Sequence, residues 1–206
     1  RDLHSFPTRR SSDLVRQDLD KLEAEGFIVK EHGGAFLKSV NTQVKSFSLQ
    51  HLENMDKKAA IAAAAAAHVS DGESVILDSG STVSELAKRL SDRKGLTVVT
   101  NALNIALLLG AEPGIDVLVT GGEFKPPTLS LTGEKAAGFF HHIHAAKLFL
   151  ATGGISADGD LTYPGLADIP VKRAMIEAAS EVYLLADSTK FGRTSLAILG
   201  GIEVVD

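Results

Sequence analysis

The sequence contains no cysteine and no tryptophan, and aromatic residues make up only 5% of its 206 positions. Without cysteine the chain cannot form a disulfide framework, use a thiol nucleophile or build a cysteine-based zinc site. This composition fits a cytoplasmic protein, because disulfides concentrate in oxidising compartments. No apolar run reaches the roughly 18 residues of a membrane span, and no signal-peptide pattern is present, so we expect no membrane partner.

An excess of positive charge is also missing. Lysine and arginine total 21 against 26 acidic residues, which gives a net charge of −5. A globally basic nucleic-acid-binding surface is therefore excluded, whereas a small local DNA-reading segment is not. A hydrophobic share of 44% and 19 glycines are typical of an α/β protein with a sizeable core.

The histidines at positions 141, 142 and 144 are the best metal-binding candidates by residue type. No carboxylate stands beside them at ligand spacing, and the chain has no cysteine to add. We therefore expect no metal site and no cofactor, and we interpret these histidines as polar groups at a helix end.

The first 14 residues, RDLHSFPTRRSSDL, show no helical or strand period and are interrupted by Pro7. We interpret residues 1–14 as translated sequencing debris, or as a disordered terminus, and exclude them from the fold prediction.

A helix and a hairpin are predicted next. Val15, Leu19 and Leu22 form an apolar stripe on a helix closed by Gly26, and residues 27–30 and 35–38 flank a turn as two strands. A helix followed at once by a hairpin is typical of the end of a winged helix-turn-helix domain. Residues 39–54 are mixed and polar, and we predict a linker there.

The motifs VRQDL at 15–19 and HGGA at 32–35, with Leu22 and Gly26, resemble the second half of the DNA-binding domain of DeoR-family repressors. This resemblance implies that Arg16 and Gln17 lie on the recognition helix and that His32 and Gly33 lie in the wing. Residues 15–38 carry four basic and five acidic side chains, so 4 − 5 = −1. Because phosphate contacts need positive charge, we assign DNA binding to the intact parent protein.

Residues 55–206 alternate between strand-like and helix-like patterns. An alanine-rich helix is predicted at Met55–Val69. The predicted strands are Ser74–Asp78, Thr97–Thr100, Ile115–Thr120, Ala146–Thr152 and Val182–Asp187. The predicted helices between them are Ser81–Leu90, Ala102–Leu109, Thr132–His141 and Ile169–Ala179. Near-continuous apolar strands separated by amphipathic helices indicate a mainly parallel sheet covered by helices on both faces.

Each of the five predicted strands ends in Gly, Ser, Thr, Asn or Asp. Ligands bind at the carboxyl ends of strands in such sheets, so these ends predict a pocket for a hydroxylated or phosphorylated ligand. After the first strand, Ser81 or Thr82 is the expected helix N-cap, with Glu85 as its capping partner. The free N–H groups of that helix start can bind an anion, although many such turns bind nothing.

Five motifs in this region resemble the sensor domain of DeoR-type regulators in order and spacing: LDSGST at 77–82, TVVTN at 97–101, TGG at 120–122, VKRAMI at 171–176 and LADSTKFG at 185–192. That sensor resembles the fold of ribose-5-phosphate isomerase and glucosamine-6-phosphate deaminase, and its usual effectors are phosphorylated sugars. The resemblance places the phosphate at Ser79 to Thr82. The implied ligand-binding set is Asp78, Ser79, Gly80, Ser81, Thr82, Thr100, Asn101, Gly121, Gly122 and Lys172.

The chain departs from the family pattern in two places. Residues 159–170 lack the expected glutamate-rich run, and the sensor is predicted to lack a last helix and strand after Asp206. Asp158, Asp160 and Asp168 suit either acid–base chemistry or ordinary turns. The isomerase relatives would place clustered acids after the fourth strand, where this chain has Gly153-Gly154-Ile155-Ser156.

The resemblance implies a DNA-binding transcriptional regulator, a repressor of carbohydrate metabolism, that senses a phosphorylated sugar, has no catalytic residues and forms a homo-oligomer. The alternatives are a sugar-phosphate isomerase or deaminase-like enzyme, and a structural α/β domain without a ligand.

Overall fold

The computed structural model describes residues 9–25, 28–31, 34–37 and 52–206. The chain divides into two compact units, Arg1–Val44 and Lys45–Asp206.

In the first unit, helix α1 spans Arg9–Ala24 and an antiparallel hairpin follows, with β1 at Ile28–Glu31 and β2 at Gly34–Leu37. The predicted helix and hairpin are confirmed. Helix α1 begins at Arg9, within the segment 1–14 that was excluded from the fold prediction, and residues 9–14 contain neither proline nor glycine to interrupt it. The wing residues His32 and Gly33, and residues 39–51 of the predicted linker, lie outside the described residues.

The predicted apolar stripe of α1 is only partly covered. Leu19 and Leu22 are half-buried, whereas Val15 is 55% exposed. Arg16 and Gln17 are both exposed on the same helix.

The second unit is built on a five-stranded parallel sheet. Its strands are β3 (Ser74–Leu77), β4 (Leu96–Thr100), β5 (Ile115–Val119), β8 (Ala145–Ala151) and β11 (Ala179–Leu185). Their order across the sheet is β11-β8-β3-β4-β5, and each neighbouring pair is parallel. The helices are α2 (Met55–Ala66), α3 (Ser81–Lys88), α4 (Leu103–Leu109), α5 (Glu134–Phe140) and α6 (Asp168–Glu177). The predicted parallel α/β fold is confirmed.

Alternate residues of the strands supply two cores. Val75, Leu77 and Val98 pack on the face that carries α2, α3 and α4, while Ile76 and Val99 pack on the face that carries α5 and α6. Ala62 and Ala65 of the alanine-rich helix are both buried, as expected of small side chains that let a helix lie close to a sheet.

Five short strands were not predicted. The strands β6 (Glu123–Lys125) and β7 (Ser130–Thr132) form a hairpin, and β9 (Gly154–Ile155), β10 (Asp160–Tyr163) and β12 (Ala197–Gly201) form a three-stranded sheet in the order β12-β10-β9. Most of these strands have too few residues to show a period-two pattern, and β10 lies in the segment that departs from the family pattern.

The sheet order creates a switch point at its centre. From β3 the chain proceeds through β4 to β5 on one side, and it then returns to place β8 and β11 on the other side. In open parallel sheets the crevice beyond the strand ends at such a point is where ligands bind. None of the helices within the described residues is long and apolar enough to cross a membrane.

Candidate functional site

The turn between β3 and α3 lies at the switch point. The N-cap of α3 is Gly80, and no side chain of the described residues caps it. The prediction of Ser81 or Thr82 as the N-cap is therefore wrong, and Glu85 bonds to Lys88 at 2.6 Å. Because the first N–H groups of an uncapped helix have no partner within the helix, the first turn of α3 offers backbone donors to an anion.

Gly80 is needed at this turn for steric reasons. A Cβ atom at position 80 would lie 2.8 Å from the Cβ of Ala151 at the end of β8. The Gly80 carbonyl accepts hydrogen bonds from the backbone N–H and from the hydroxyl of Ser84, both at 2.9 Å. The turn is therefore packed directly on the neighbouring strand.

The side chain of Asp78 holds this turn against the end of β8. This side chain is fully buried. One carboxylate oxygen accepts a hydrogen bond from the Ser79 N–H at 2.7 Å, and the other accepts from the Ala151 N–H at 2.9 Å. The second oxygen also accepts from Lys172 Nζ at 2.5 Å. The carboxylate thus joins the ends of β3 and β8 and neutralises a buried cation.

Lys172 reaches Asp78 from helix α6. Its ammonium lies 4.7 Å from the ring centroid of Tyr163, and the Tyr163 hydroxyl donates to the Ala151 carbonyl at 2.8 Å. Burial raises the pKa of Tyr163 well above its usual value, which favours the protonated hydroxyl that donates this bond. Asp78 and Lys172, both predicted to line the site, are brought together but bonded to one another.

Other polar side chains at the strand ends also hold the backbone. Thr100 is fully buried; its hydroxyl donates to the Leu77 carbonyl at 2.6 Å and accepts from the Ala102 N–H at 3.0 Å. Thr152 donates to the Gly154 carbonyl at 2.9 Å. Asp187 accepts from the Thr189 N–H at 2.8 Å. The predicted polar residues are present at the strand ends. Thr100, Thr152 and Asp187 use their side chains to bond backbone groups and so stabilise the segments that follow the strands.

The β4 and β5 ends are arranged differently. Asn101 donates through Nδ2 to the Leu131 carbonyl at 3.0 Å. Gly121 and Gly122 are exposed. Gly122 has a φ of 126°, and a Cβ there would lie 2.6 Å from the Thr132 carbonyl oxygen, so glycine lets the β6–β7 hairpin fold back onto the sheet.

Some residues of this region were missed. Asn104 donates through Nδ2 to the Ser84 hydroxyl at 2.8 Å, which links α4 to the first turns of α3. The ring of Tyr163 packs against the Lys172 ammonium. Asn104 stands near a predicted helix start, a usual signal for a polar contact, whereas the contact of Tyr163 has no local sequence signal.

A groove of about 250 Å³ lies between α5 and α6, and it contains none of the predicted ligand-binding residues. It is lined by Glu134, Ala137, His141, Ile169, Pro170, Arg173, Ala174 and Glu177. Within the described residues, no three histidine, aspartate or glutamate side chains group together in a way that could hold a metal ion.

Comparison with known proteins identifies the chain as a transcriptional regulator. Residues 53–206 match the family model of the DeoR C-terminal sensor domain. The chain is 36% identical over 192 residues to the transcriptional repressor AccR of Agrobacterium fabrum, covering 93% of this chain and 74% of the relative. It is 34% identical over 196 residues to the HTH-type transcriptional regulator GolR of Listeria innocua, covering 95% and 77%. The chain belongs to the DeoR family of transcriptional regulators.

Two solved structures confirm the predicted fold. Ribose-5-phosphate isomerase A from Methanocaldococcus jannaschii matches with a TM-score of 0.51 and 16% identity, over 68% of this chain and 55% of that one. The delta subunit of eIF2B from Chaetomium thermophilum matches with a TM-score of 0.55 and 20% identity, over 77% and 56%. The chain spans just over half the length of these two proteins.

Proposed function

We propose that residues 55–206 bind a phosphorylated sugar, with its phosphate at the first turn of α3. The observation that carries this proposal is the uncapped start of α3, held at the switch point by the buried carboxylate of Asp78. Unpaired N–H groups and the positive end of the helix dipole favour an anion there. Gly80 and Ser81 are only half-buried, so the turn is open to a ligand.

The contribution of Asp78 and Lys172 is proposed to be indirect. Each is already neutralised by the other, so neither offers a free charge to the effector. They hold the turn, and backbone donors of residues 81–83 bind the phosphate. Thr100 acts in the same indirect way through its bond to the Leu77 carbonyl, while Gly121 and Gly122 line the exposed side.

The regulated process is proposed to be carbohydrate metabolism, under repression. One relative, 31% identical over 198 residues, is the glycerol-3-phosphate regulon repressor of Escherichia coli. A phosphorylated small polyol of this kind has the chemistry that the strand ends can bind. An effector that binds two conformations of the sensor unequally shifts the balance between them and can release operator DNA.

The DNA-binding part is proposed to include α1 and the β1–β2 hairpin in the intact regulator. Arg16 and Gln17 are exposed on α1 and available to bases and phosphates. A regulator of this kind would act in the cytoplasm, where operator DNA lies. As a homo-oligomer it would present paired DNA-binding heads to a repeated half-site.

We propose that the sensor does not catalyse isomerisation or deamination. Where the isomerase relatives would place acids, this chain has two glycines that pack directly against backbone atoms of neighbouring segments. A Cβ at Gly153 would lie 2.8 Å from the Thr162 carbonyl oxygen, and one at Gly154 would lie 2.4 Å from that of Arg193. A coupled assay with pentose and hexosamine phosphates should detect no turnover, and measurable turnover would overturn this part of the proposal.

A matched pair of substitutions at Ser81 tests the phosphate site. Aspartate suits the first turn of a helix, so Ser81→Asp should fold with an unchanged or higher Tm. Its carboxylate should repel the phosphate and weaken binding of inorganic phosphate and of ribose 5-phosphate at least about tenfold. Ser81→Asn has the same size without the charge and should stay within a few-fold of wild type. Equal phosphate affinity of the two variants, measured by calorimetric titration, would refute the site.

A further inference from the structure

Two buried oxygens at the ends of β4 and β5 have no hydrogen-bond partner among the described residues. They are Asn101 Oδ1 and Thr120 Oγ1. Their residues are only 3% and 2% exposed. Burying a polar atom without a hydrogen-bond partner is unfavourable, so such atoms are rare in folded proteins and need an explanation. Asn104 Oδ1, on α4, is in the same condition.

The strand register places Asn101 and Thr120 side by side. Leu77, Thr100 and Val119 are paired across β3, β4 and β5, so the next residues of these strands form the next row. That row is Asp78, Asn101 and Thr120. Neighbouring strands are about 4.8 Å apart, and one small group can therefore touch two adjacent members of the row.

The row faces the α5–α6 side of the sheet. Ile76 and Val99 contribute to the core on that side, and Asp78 and Asn101 stand two residues further along the same strands. Thr120 stands two residues after Leu118, the partner of Val99. Because side chains two residues apart share a face, all three polar side chains point the same way.

The three members of the row differ in their bonding. Asp78 receives three donors, from Ser79, Ala151 and Lys172. Asn101 uses its amide N–H on the Leu131 carbonyl, which also fixes the orientation of the amide, since the reverse orientation would oppose two oxygens. Asn101 Oδ1 therefore needs a donor from elsewhere, and the Thr120 hydroxyl can both donate and accept.

We propose that Asn101 and Thr120 form a subsite for a hydroxyl group of the sugar, an inference that rests on the proposed phosphate site at α3. A sugar hydroxyl can donate to Asn101 Oδ1 while it accepts from Thr120 Oγ1, which satisfies both atoms at once. A carbonyl or a phosphate oxygen has no proton for the amide oxygen. The sugar thus extends from the phosphate toward the β4–β5 side of the sheet, and not toward β8 and β11.

The β6–β7 hairpin is bonded to Asn101 in the structure. The Leu131 N–H donates to the Asn101 carbonyl at 2.8 Å, and Asn101 Nδ2 donates to the Leu131 carbonyl at 3.0 Å. Because both oxygens are buried in the free protein, a ligand hydroxyl reaches them only when the residues that cover them move.

Thr120→Val tests the subsite, because valine keeps the shape of threonine and removes the hydroxyl. Glycerol 3-phosphate, ribose 5-phosphate and glucose 6-phosphate are titrated into the wild type, and the tightest is taken forward with inorganic phosphate. The variant should bind the sugar phosphate about three- to tenfold more weakly. Its affinity for inorganic phosphate should not change, and the Tm of the free protein should stay equal or rise.

Thr162→Val is the matched control. Thr162 is fully buried, and its hydroxyl is already bonded, donating to the Gly154 carbonyl at 3.2 Å and accepting from the Ser195 N–H at 3.1 Å. This variant should melt at a lower temperature and keep both affinities. The control separates a general effect of losing a buried threonine hydroxyl from a loss of sugar contact.

The outcomes separate this inference from the proposed function. If Thr120→Val keeps the sugar-phosphate affinity and melts lower, an internal water satisfies the two oxygens and the subsite is overturned. If the wild type binds inorganic phosphate as tightly as every sugar phosphate, the phosphate site stands and the subsite falls. If the wild type binds none of the four probes, the proposed function fails and the subsite with it.

Discussion

The carboxyl ends of the parallel strands form one edge of the sheet, which we call the rim. The two halves of this rim bond their polar side chains differently. On the β3–β8 side, Asp78, Lys172 and Tyr163 are buried, bonded to one another or to the backbone, and neutral as a group. On the β4–β5 side, Asn101 and Thr120 are as deeply buried, yet each keeps an oxygen that no other described residue satisfies. The β3–β8 side holds the first turn of α3 in place. The two oxygens on the β4–β5 side can instead bond to a ligand.

The comparison separates two reasons for a polar residue at a strand end. A residue whose bonds are complete contributes to stability, and its loss should lower the free energy of unfolding. An atom without a hydrogen-bond partner contributes little to the stability of the free protein, and its loss should appear in ligand binding. Substitutions on the β3–β8 side should therefore act mainly through stability.

The largest expected effect is that of Asp78→Ala. It leaves the Lys172 ammonium, whose side chain is 6% exposed, without its carboxylate. Removing one partner of a buried ion pair costs about 3–5 kcal/mol, which urea unfolding can measure. The double variant Asp78→Ala/Lys172→Met should regain part of this loss, because it removes the stranded charge. A loss below about 1 kcal/mol would mean that the pair does not hold this side of the rim.

Tyr163→Phe should have a smaller effect on the same side. It removes the hydroxyl that donates to the Ala151 carbonyl at 2.8 Å but keeps the ring beneath Lys172. The expected cost is about 1 kcal/mol in urea unfolding, the usual net value of one hydrogen bond. Inorganic phosphate should bind as tightly as it does to the wild type. A tenfold loss of phosphate affinity would place Tyr163 in the binding site and contradict the division between the two sides.

The smallest effect is expected at the opposite ends of the same two strands. Glu73 precedes β3 and accepts from Lys147 Nζ of β8 at 2.6 Å. The hydrogen bond from Lys147, followed by that from the Ser70 N–H, lowers the pKa of Glu73 below its usual value of 4.5. Stability from this group is therefore present above pH 4.5 and is lost as the pH falls through the lower folded-state pKa.

Glu73→Gln tests that pH dependence. At pH 7 the variant should lose less than about 1 kcal/mol, because the pair is partly exposed and solvent screens it. The difference between variant and wild type should shrink toward zero as the pH is lowered through the acidic range. A difference in unfolding free energy that stays constant with pH would show that the ionised carboxylate is not what Lys147 stabilises.

The parallel sheet was predictable because its strands are short apolar runs, such as Val75 to Leu77, bounded by glycine and polar residues. The polar rim was predictable too, since parallel strands end at the same edge of a sheet. What local patterns could not predict is the division of roles within the rim. The bond between Asp78 and Lys172 joins residues 94 positions apart, and nothing near either residue indicates the other.

The errors also have physical causes. Ser81 and Thr82 are good N-cap residues, but the close approach of the turn to Ala151 places glycine at the cap. The extension of α1 to Arg9 was missed because residues 9–14 show no apolar period. A helix that has already formed can propagate through residues without such a period. The strands β6, β7 and β9 were missed because two or three residues cannot show a period.

The most direct test of the central claim is an amide NMR titration of the protein with inorganic phosphate. If backbone N–H groups at the start of α3 bind the anion, the largest chemical-shift changes should be those of Ser81, Thr82 and Val83, and in Ser81→Asp they should need at least about ten times more phosphate. Changes that are largest elsewhere, or that occur at the same phosphate concentrations in Ser81→Asp, would contradict the claim that this helix start is the phosphate site.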